Sequence, residues 1–489
     1  MRTKRDLDIL FNPRSIAFIG ASQNPAKWGF IIPLNILKGQ FKGELYPVNP
    51  RLESFLGIPC YPSVGAIPGS VDLAIITTPA KTVPSLIDEC GAKGIRFVIV
   101  VSSNFSETGP EGAELERELV ERAGRYGITI VGPNTMGIYS AASRLNALMP
   151  PVVPLEGRLS MFSQSGNVGV QMLYWGNNKG LGFNKFVSSG NEADLTCEDY
   201  LAYFGDDEAT EVILGYMEGI DPGSDLIRVA RRVCRKKPVL IFKGGRTATG
   251  GKAAASHSGA MAGSSRVLKG VFRQAGIVEI AESQGLIDAA KIFSAYPIPK
   301  GNRVGILTRG GGWGVITADA CEEHGLVVPP LPEEIIRRLD KILPPYWSRG
   351  NPVDMAANIL LEPFMECMEA LAEWDEVDSV IALGGSIQGI FDFEAKVEGT
   401  KELKEVIILA REVAREYTTQ NDVVLDHTRD LVDRTGKPVV VVTLGDYEGF
   451  KSDLRDHGVV SYPTPERAVK ALKRMVEYRR FLDSPVEEI

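Results

Sequence analysis

The sequence predicts an α/β fold in which parallel sheets are covered by helices and the chain forms three domains. Short apolar runs alternate with helical patterns along the chain, two proline-rich breaks divide it, and its 489 residues exceed the roughly 100–200 of a usual domain. Alternation of this kind is typical of βαβ units, whose parallel strands have helices on both faces. Together these observations favour three successive α/β domains.

The first predicted domain covers residues 1–148. Continuous apolar runs indicate strands that are buried on both faces of a sheet. The predicted strands are residues 15–20, 44–48, 73–77 and 96–101. Helical patterns lie between them at residues 83–92 and 112–125, a further helix should begin near Trp28, and the domain closes with ITIVGPNTMG near residues 128–137.

The second and third predicted domains cover residues 149–297 and 298–489. The breaks MPPVVPLEG and YPIPKGN mark where they begin. Strands of the second domain are predicted at residues 158–163, 185–188, 212–216 and 238–243. Strands of the third are predicted at residues 303–308, 380–383 and 438–443, with a closing helix at 465–482.

Composition excludes several classes of protein. A formal net charge of −8 argues against a general nucleic-acid binder, because no basic stripe is available to displace counterions. No apolar run approaches the roughly 20 residues that span a bilayer, and the opening residues lack a secretory h-region. The six cysteines are scattered without a CxxC pair, so we expect neither a metal site nor disulfides, and a cytoplasmic location.

A glycine turn ends the first strand, at Gly20, Ala21 and Ser22, and Lys27 precedes the next helix. Backbone N–H groups at a strand–helix junction bind phosphate well. The second strand ends in Val48, Asn49 and Pro50, without the carboxylate that holds a ribose hydroxyl in dinucleotide-binding proteins. The turn therefore leaves NAD(P), CoA and a purely structural role open, with Arg51 suiting the extra phosphate of CoA.

Other polar residues follow later strands of the first domain. Because ligands of open α/β sheets bind at the carboxyl ends of the strands, these residues are candidates for the same ligand. They are Thr77, Thr78, Asn104 and Asn134. For each asparagine alone, a role in a turn is the alternative.

Residues 244–264 form a segment of tiny side chains around one of only four histidines, His257. Seventeen of its 21 positions are Gly, Ala, Ser or Thr. Such a stretch buries little apolar area, so we expect a loop that moves easily. Neutral imidazole is a good nucleophile near pH 7, and a histidine on such a loop could carry a phosphoryl group between two sites. A solvated linker with an incidental histidine is the alternative.

Two similar turns could hold the anionic group. LSMFSQSGNVGV (159–170) aligns without a gap with VGILTRGGGWGV (304–315), which indicates an internal repeat of strand, polar turn and helix. Small residues at a helix start favour phosphate, although tight strand–helix connections would look alike. The candidate phosphate-binding residues are Ser163, Gln164, Ser165 and Gly166 in the first turn and Gly310, Gly311 and Gly312 in the second.

A carboxylate should orient the histidine through its second ring nitrogen. Glu218 lies just beyond a predicted buried strand, in VILGYMEGI, and is the first candidate. Glu192 and Asp194, in SSGNEADLT, are its rivals. Any of the three could be an ordinary surface acid.

GAS at residue 20, GPNTMG, SQSGNVG, SSGNEADLT, YMEGI and SHSGAMAG appear in one order along the chain. In these motifs the sequence resembles the α subunit of ADP-forming acetyl-CoA synthetases, relatives of succinyl-CoA synthetase. The resemblance implies a Rossmann-like CoA-binding domain followed by two flavodoxin-like domains. It implies His257 and Glu218 as catalytic residues and Gly259 as a further phosphate contact. The substrates it implies are CoA or acyl-CoA, phosphate, a small carboxylic acid, and ADP/ATP with Mg²⁺.

The resemblance also implies a partner. In the family the nucleotide and Mg²⁺ bind an ATP-grasp domain, and this chain shows neither a further domain-sized stretch nor a P-loop motif. We therefore expect a separate β subunit in an α₂β₂ assembly. A non-catalytic CoA-binding regulatory protein and an NAD(P)-dependent oxidoreductase are the alternatives.

Overall fold

The computed structural model describes residues 6–219, 225–258, 265–356, 358, 360–384, 406, 422–444 and 453–485. The backbone alone is described at residues 255–258, 265–267, 453 and 455. The chain divides into two compact units. The first contains residues up to 177 together with 182–286, and the second contains residues 178–181 and the chain from 287 onwards.

The first sheet has five parallel strands in the order β2-β1-β5-β6-β7. Its inner strand β1 is buried along its whole length, as expected of an apolar strand covered on both faces. The strands are β1 (Ser15–Ile19), β2 (Glu44–Val48), β5 (Leu73–Ile76), β6 (Phe97–Val100) and β7 (Thr129–Val131), and a small antiparallel hairpin consists of β3 (Ser54–Phe55) and β4 (Ile58–Pro59).

Four helices accompany this sheet. Glycines in the left-handed region, Gly94 at φ +80° and Gly127 at φ +67°, end the third and fourth of them, as is common at helix C-termini. Apolar side chains from the strands and helices, among them Ile76, Val98 and Leu119, pack into one core. The helices are α1 (Asp8–Phe11), α2 (Trp28–Lys38), α3 (Val83–Lys93) and α4 (Pro110–Tyr126).

The second sheet has seven strands in the order β14-β13-β12-β10-β11-β8-β9. Five of these strands, β14, β13, β12, β10 and β11, are parallel to one another. The strands are β8 (Gly137–Ser140), β9 (Leu145–Leu148), β10 (Glu156–Ser163), β11 (Phe183–Ser188), β12 (Val212–Met217), β13 (Val239–Lys243) and β14 (Val278–Ile280). The helices are α5 (Gly166–Asn178), α6 (Cys197–Asp206), α7 (Leu226–Cys234), α8 (Ala248–Ser258), α9 (Ser265–Ala275) and α10 (Ser283–Ala295).

The β8–β9 hairpin joins the first two sheets, although it follows directly on β7. It pairs antiparallel with β11 of the second sheet. It is also tied to the helices of the first sheet, because the Ser143 hydroxyl donates to Phe11 O at 2.8 Å and the Asn35 amide donates to Leu148 O at 2.8 Å. Residues 137–148, expected in the first domain, thus complete the sheet of the second.

Residues 248–258 form a helix, α8, so the expectation of an irregular loop is wrong for this stretch. Alanine has the highest helix propensity, and the run KAAAS supplies three alanines. Thr247 stabilises the helix start, because its hydroxyl accepts the N–H of Gly250 at 3.0 Å.

The second unit contains a five-stranded parallel sheet in the order β16-β15-β17-β18-β19. The strands are β15 (Val304–Thr308), β16 (Val353–Asp354), β17 (Ser379–Leu383), β18 (Val439–Val442) and β19 (Ser461–Tyr462). The helices are α11 (Gly311–Glu323), α12 (Glu333–Leu339), α13 (Leu361–Glu373), α14 (422–435) and α15 (Pro465–Asp483). Both oxygens of the Asp288 carboxylate accept from the Arg467 guanidinium, at 2.7 and 2.8 Å, which fixes α15 in this unit.

Candidate functional site

The first glycine turn lies where three parallel strands of the first sheet end. Gly20 N–H donates to Val48 O at 3.0 Å, and the Thr77 hydroxyl donates to Ile19 O at 3.1 Å. Gly20 has φ +100°, in the left-handed region that favours glycine. The structure therefore brings together the ends of β1, β2 and β5, as the sequence predicts for a ligand site.

The backbone N–H groups of this turn bond within the protein. Gly20 and Ala21 both donate to Val48 O, and Ser22 donates to Gly29 O at 3.0 Å. The turn thus sets where α2 begins, at Trp28 after an extended Lys27. The first turn of a helix leaves N–H groups without intrahelical partners, so the start of α2 is the better phosphate contact.

The remaining first-domain candidates serve mainly to shape this edge of the sheet. The Asn49 amide donates to Ala21 O at 2.6 Å and links the end of β2, before Pro50, to the glycine turn. Thr78 Oγ1 accepts the Thr82 hydroxyl at 2.8 Å. Asn104 and Asn134 have φ values of +76° and +60°, which agrees with the alternative of a role in turns.

The second candidate site lies at the carboxyl ends of β10, β12 and β13. Neighbouring parallel strands end at one edge of a sheet, so the Ser163–Gly166 turn, Glu218 and the start of α8 meet there. The main-chain N–H of Gln164 donates to Tyr216 O at 3.1 Å. Helix α5 then begins at Gly166, where a Cβ would come within 2.2 Å of the Met136 side chain.

Gln164 and Lys243 hold the main chain at Glu218 from two sides. The Gln164 side-chain oxygen accepts the N–H groups of Glu218 at 2.6 Å and Gly219 at 3.2 Å. Lys243 Nζ donates to Glu218 O at 2.7 Å and also to Gly244 O. The Glu218 carboxylate accepts the Tyr216 hydroxyl at 3.1 Å. This backbone is therefore fixed, with a carboxylate at the edge from which α8 starts.

Burial shifts the proton affinities of two side chains beside Glu218. It lowers the pKa of the Lys243 ammonium, an effect that the Glu218 charge partly offsets. It raises the pKa of the Tyr216 phenol, and the Glu218 charge raises it further. Tyr216 therefore stays protonated and donates to the carboxylate. Neither residue was predicted, although a lysine closing the apolar strand PVLIFK is a signal that could have found Lys243.

The rival acids have other partners. Asp194 accepts the N–H of Ile130 in β7 at 3.0 Å. Glu192 accepts the Gln164 side-chain N–H at 3.1 Å, the Ser189 hydroxyl at 2.6 Å and the Cys197 thiol at 2.8 Å. Loss of solvent raises the pKa of the Glu192 carboxyl to about 7, against the opposing effect of these three hydrogen bonds.

The histidine itself lies at the end of α8, in backbone only. Residues 255–258 are described without side chains, and Gly259 lies outside the described residues. The first residues of α8 lie at the edge of the candidate site, just after β13. Arg246, just before this helix, donates to Ala281 O at 2.6 Å and ties its start to the second sheet.

The turn at Gly310–Gly312, in the other unit, repeats the local geometry of the Ser163–Gly166 turn. The Ser163 hydroxyl donates to Ser165 O at 2.6 Å, and the Thr308 hydroxyl correspondingly donates to Gly310 O at 2.9 Å. Each helix begins three residues after its strand ends, α11 at Gly311. A difference is that Asp354 Oδ2 lies 2.9 Å from where a Cβ of Gly311 would be, so an acid already occupies this helix start.

Among the described residues, no helix is both long and apolar enough to cross a membrane. The same residues contain no group of three or more His, Cys, Asp or Glu side chains arranged to hold a metal ion.

Three family models match the chain in order. A CoA binding domain matches residues 14–141, a succinyl-CoA ligase like flavodoxin domain matches 156–293, and a ligase-CoA domain matches 304–365. The matched domains therefore place the chain in the class of succinyl-CoA-ligase-like proteins, and the first glycine turn lies inside the matched CoA binding domain.

Curated relatives narrow this class. The α subunit of ADP-forming acetate–CoA ligase I from Pyrococcus furiosus is 36% identical over 97% of this chain and 98% of its own length. ADP-forming acetate–CoA ligase I from Archaeoglobus fulgidus is 43% identical over 77% of this chain but 54% of its own length, so the chain spans about half of that relative. The solved structure of Candidatus Korarchaeum cryptofilum acetyl-coenzyme A synthetase 1, in complex with phosphate and ADP, has a TM-score of 0.82, 35% identity and 98% coverage of both chains.

The chain belongs to the family of ADP-forming acetate–CoA ligases and corresponds to their α subunit. The family and the fold class predicted from the sequence, a Rossmann-like CoA-binding domain followed by flavodoxin-like domains, are confirmed. The two alternatives, an NAD(P)-dependent oxidoreductase and a non-catalytic regulatory protein, receive no support from these relatives.

Proposed function

We propose that this chain is the CoA-binding, phosphohistidine-carrying subunit of an ADP-forming acyl-CoA synthetase. The reversible reaction is acyl-CoA + ADP + phosphate ⇌ carboxylic acid + CoA + ATP. One observation carries the proposal. At the edge from which α8 leads to His257, Gln164 and Lys243 fix the main chain of Glu218, and the Ser163–Gly166 turn lies beside it.

CoA would be held in the first domain. Its phosphates suit the start of α2 with Lys27 and Ser22, and the Asn49 amide stands where an acid would hold a free ribose in NAD-binding proteins. The close approach of Gly29 to Gly20 O, which a Cβ would bring to 2.2 Å, shapes this pocket wall. These residues fit a phosphate-bearing adenine nucleotide such as CoA.

The chemical steps assign one role to each group. A phosphate oxygen attacks the thioester carbonyl, the C–S bond breaks, and CoA leaves as its thiol with a proton from the attacking phosphate. A ring nitrogen of His257 then attacks phosphorus, an N–P bond forms, and the P–O bond breaks to release the carboxylate. Glu218 accepts the hydrogen bond of the other ring nitrogen and stabilises the phosphorylated ring. Finally ADP attacks the phosphoryl group and frees the imidazole.

The last step needs a nucleotide site, which we propose lies on an ATP-grasp β subunit in an α₂β₂ assembly. The relatives named as α subunits support a partner. We also propose a cytoplasmic location, supported by the lack of disulfides among the cysteines that the structure describes.

Labelled phosphate tests the proposal. The chain is incubated with its partner subunit, acetyl-CoA, radiolabelled phosphate and Mg²⁺, and the labelled peptide is mapped. We expect acid-labile, base-stable label on His257, lost in His257→Ala while CoA binding persists. His324→Ala, a histidine at the end of α11, is the matched control and should label normally. Label on another residue, or full ATP synthesis by His257→Ala, would contradict the proposal.

A further inference from the structure

The Glu192 carboxylate bonds to Gln164, and Gln164 bonds to the main chain that carries Glu218. The Gln164 side-chain N–H₂ donates to Glu192 Oε2 at 3.1 Å and to Gly219 O at 3.3 Å. Its oxygen accepts the N–H groups of Glu218 and Gly219. These hydrogen bonds of the amide lead either to Glu192 or to the two residues that follow β12.

The carboxylate and Gly219 O together set which way this amide points. A side-chain amide has one accepting end and one donating end, and only the donating end can bond to a carboxylate oxygen. With Glu192 on one side, the Gln164 oxygen must face the two main-chain N–H groups. Without the carboxylate, only the longer bond to Gly219 O, at 3.3 Å, would hold the N–H₂ group. The amide could then rotate and turn its oxygen away from the two main-chain N–H groups, which would release the main chain.

Glu192 is itself held in place. The Ser189 hydroxyl and the Cys197 thiol both donate to its Oε1. Ser189 N–H in turn donates to Ser163 O at 2.8 Å, at the end of β10. The carboxyl group is therefore part of the wall beneath the Ser163–Gly166 turn, and it does not need to touch a substrate to act.

We propose that Glu192 is a positioning residue: through the Gln164 amide it holds the main chain at Glu218 and Gly219, and so places the Glu218 carboxylate for phosphoryl transfer to and from His257. This rests on the proposed function. It requires an acceptor at position 192 and does not require its charge, because an amide oxygen can also accept from Gln164.

Three variants test this on phosphohistidine formation. Glu192→Ala removes the acceptor, and we expect the rate of His257 labelling to fall ~10- to 100-fold, as for a misplaced catalytic group, with little change in KM for CoA. Glu192→Gln should stay within about threefold of wild type, because its amide oxygen replaces the acceptor. The labelling rate of the double variant Glu192→Ala with Gln164→Ala should be no lower than that of Gln164→Ala alone, because Glu192 acts through Gln164.

Glu208→Ala, which removes an exposed acid of the same domain, is the control and should label at the wild-type rate. Additive losses in the double variant, or wild-type labelling by Glu192→Ala, would overturn the inference. A purely structural defect would instead slow Glu192→Gln as well and lower the melting temperature of the double variant beyond either single change.

Hydrogen exchange separates this inference from the proposed function. The N–H groups of Glu218 and Gly219 should exchange at least ~10-fold faster in Glu192→Ala than in wild type or Glu192→Gln, because the Gln164 oxygen that accepts them is no longer held in place. Unchanged exchange in Glu192→Ala would refute the inference even if His257 labels normally in wild type. Faster exchange, together with wild-type protein that never labels, would support the link from Glu192 to Glu218 and refute the proposed function.

Discussion

Replacing Gly29 with alanine should weaken CoA binding, because a Cβ there meets rigid backbone. The ideal Cβ lies 2.2 Å from Gly20 O and 3.3 Å from its carbonyl carbon. Real Cβ atoms essentially never come closer than 3.0 Å to such an atom, so the first turn of α2 must move away from the glycine turn by at least about 0.8 Å. Gly20 O belongs to the backbone at the end of β1, which cannot yield as a flexible side chain does.

The cost follows from this displacement. Overpacking of this kind costs roughly 1–3 kcal/mol, and the strain falls on the wall of the CoA pocket. If the bound state bears most of it, the Kd for CoA rises about 5- to 150-fold, at about 1.4 kcal/mol per factor of ten. Isothermal titration of CoA into the purified chain measures this directly.

A matched glycine provides the control. Gly124, exposed on α4 of the same domain, has no atom within 4 Å of its would-be Cβ. Gly124→Ala should therefore bind CoA as wild type does, and it should stabilise the domain by up to about 1 kcal/mol through helix propensity. Equal Kd values for Gly29→Ala and Gly124→Ala would show that the approach of α2 to the glycine turn does not shape the CoA site.

Three further predictions concern the neighbouring sheet. The pKa of Glu192 is raised to about 7, so the folded state favours the protonated carboxyl. The resulting contribution to the free energy of unfolding is complete below about pH 4 and is lost as the pH rises through 7. Between pH 5 and pH 8 the free energy of unfolding of wild type should thus fall by about 2 kcal/mol relative to that of Glu192→Gln, after allowance for partial exposure. The same pH dependence of the melting temperature in both proteins would contradict this. Gly137→Ala places a Cβ 1.9 Å from Ala147 O at φ +97°, so calorimetry should show a loss of about 2–4 kcal/mol; an unchanged melting temperature would be inconsistent with the hairpin geometry. Glu218→Gln should reduce the steady-state amount of phosphohistidine by ~10-fold or more, because a neutral amide stabilises the phosphorylated ring less, and an undiminished level would remove Glu218 from that role.

Most elements of the fold could be predicted because buried parallel strands are continuous apolar runs. The strand predicted at residues 44–48 coincides with Glu44–Val48, and the helix expected near Trp28 begins there. The closing helix, predicted at 465–482, is Pro465–Asp483. In each case the local pattern and the tertiary environment agree.

The β8–β9 hairpin could not be predicted from its turn. The turns of tight hairpins usually contain Asn-Gly or Asp-Gly, whereas this turn is AASR, with Arg144 at φ +53°. Its strands are short and include polar residues, such as Asn146, whose amide donates to Val152 O at 2.9 Å. The two strands pair with each other, and β8 also pairs with β11, which is distant in sequence.

The candidate site was predictable residue by residue but not as a network. Gln164, Glu192 and Glu218 were each singled out by their position after a strand. Their mutual hydrogen bonds depend on the order β12-β10-β11 in the sheet, which sequence spacing does not reveal. For the same reason Lys243 was missed, since its role is visible only when β13 lies beside β12.

Main-chain hydrogen bonds connect the first two domains. Asn191 N–H donates to Pro133 O at 2.9 Å, Ala193 N–H to Gly132 O at 3.1 Å, and Leu195 N–H to Ile130 O at 3.3 Å. A hinge at this position would have to break all three bonds, so they oppose movement of the CoA-binding domain relative to the second domain. If the proposed function holds, any phosphoryl group that leaves these two domains must do so on the segment that follows β13 and leads through α8 to His257.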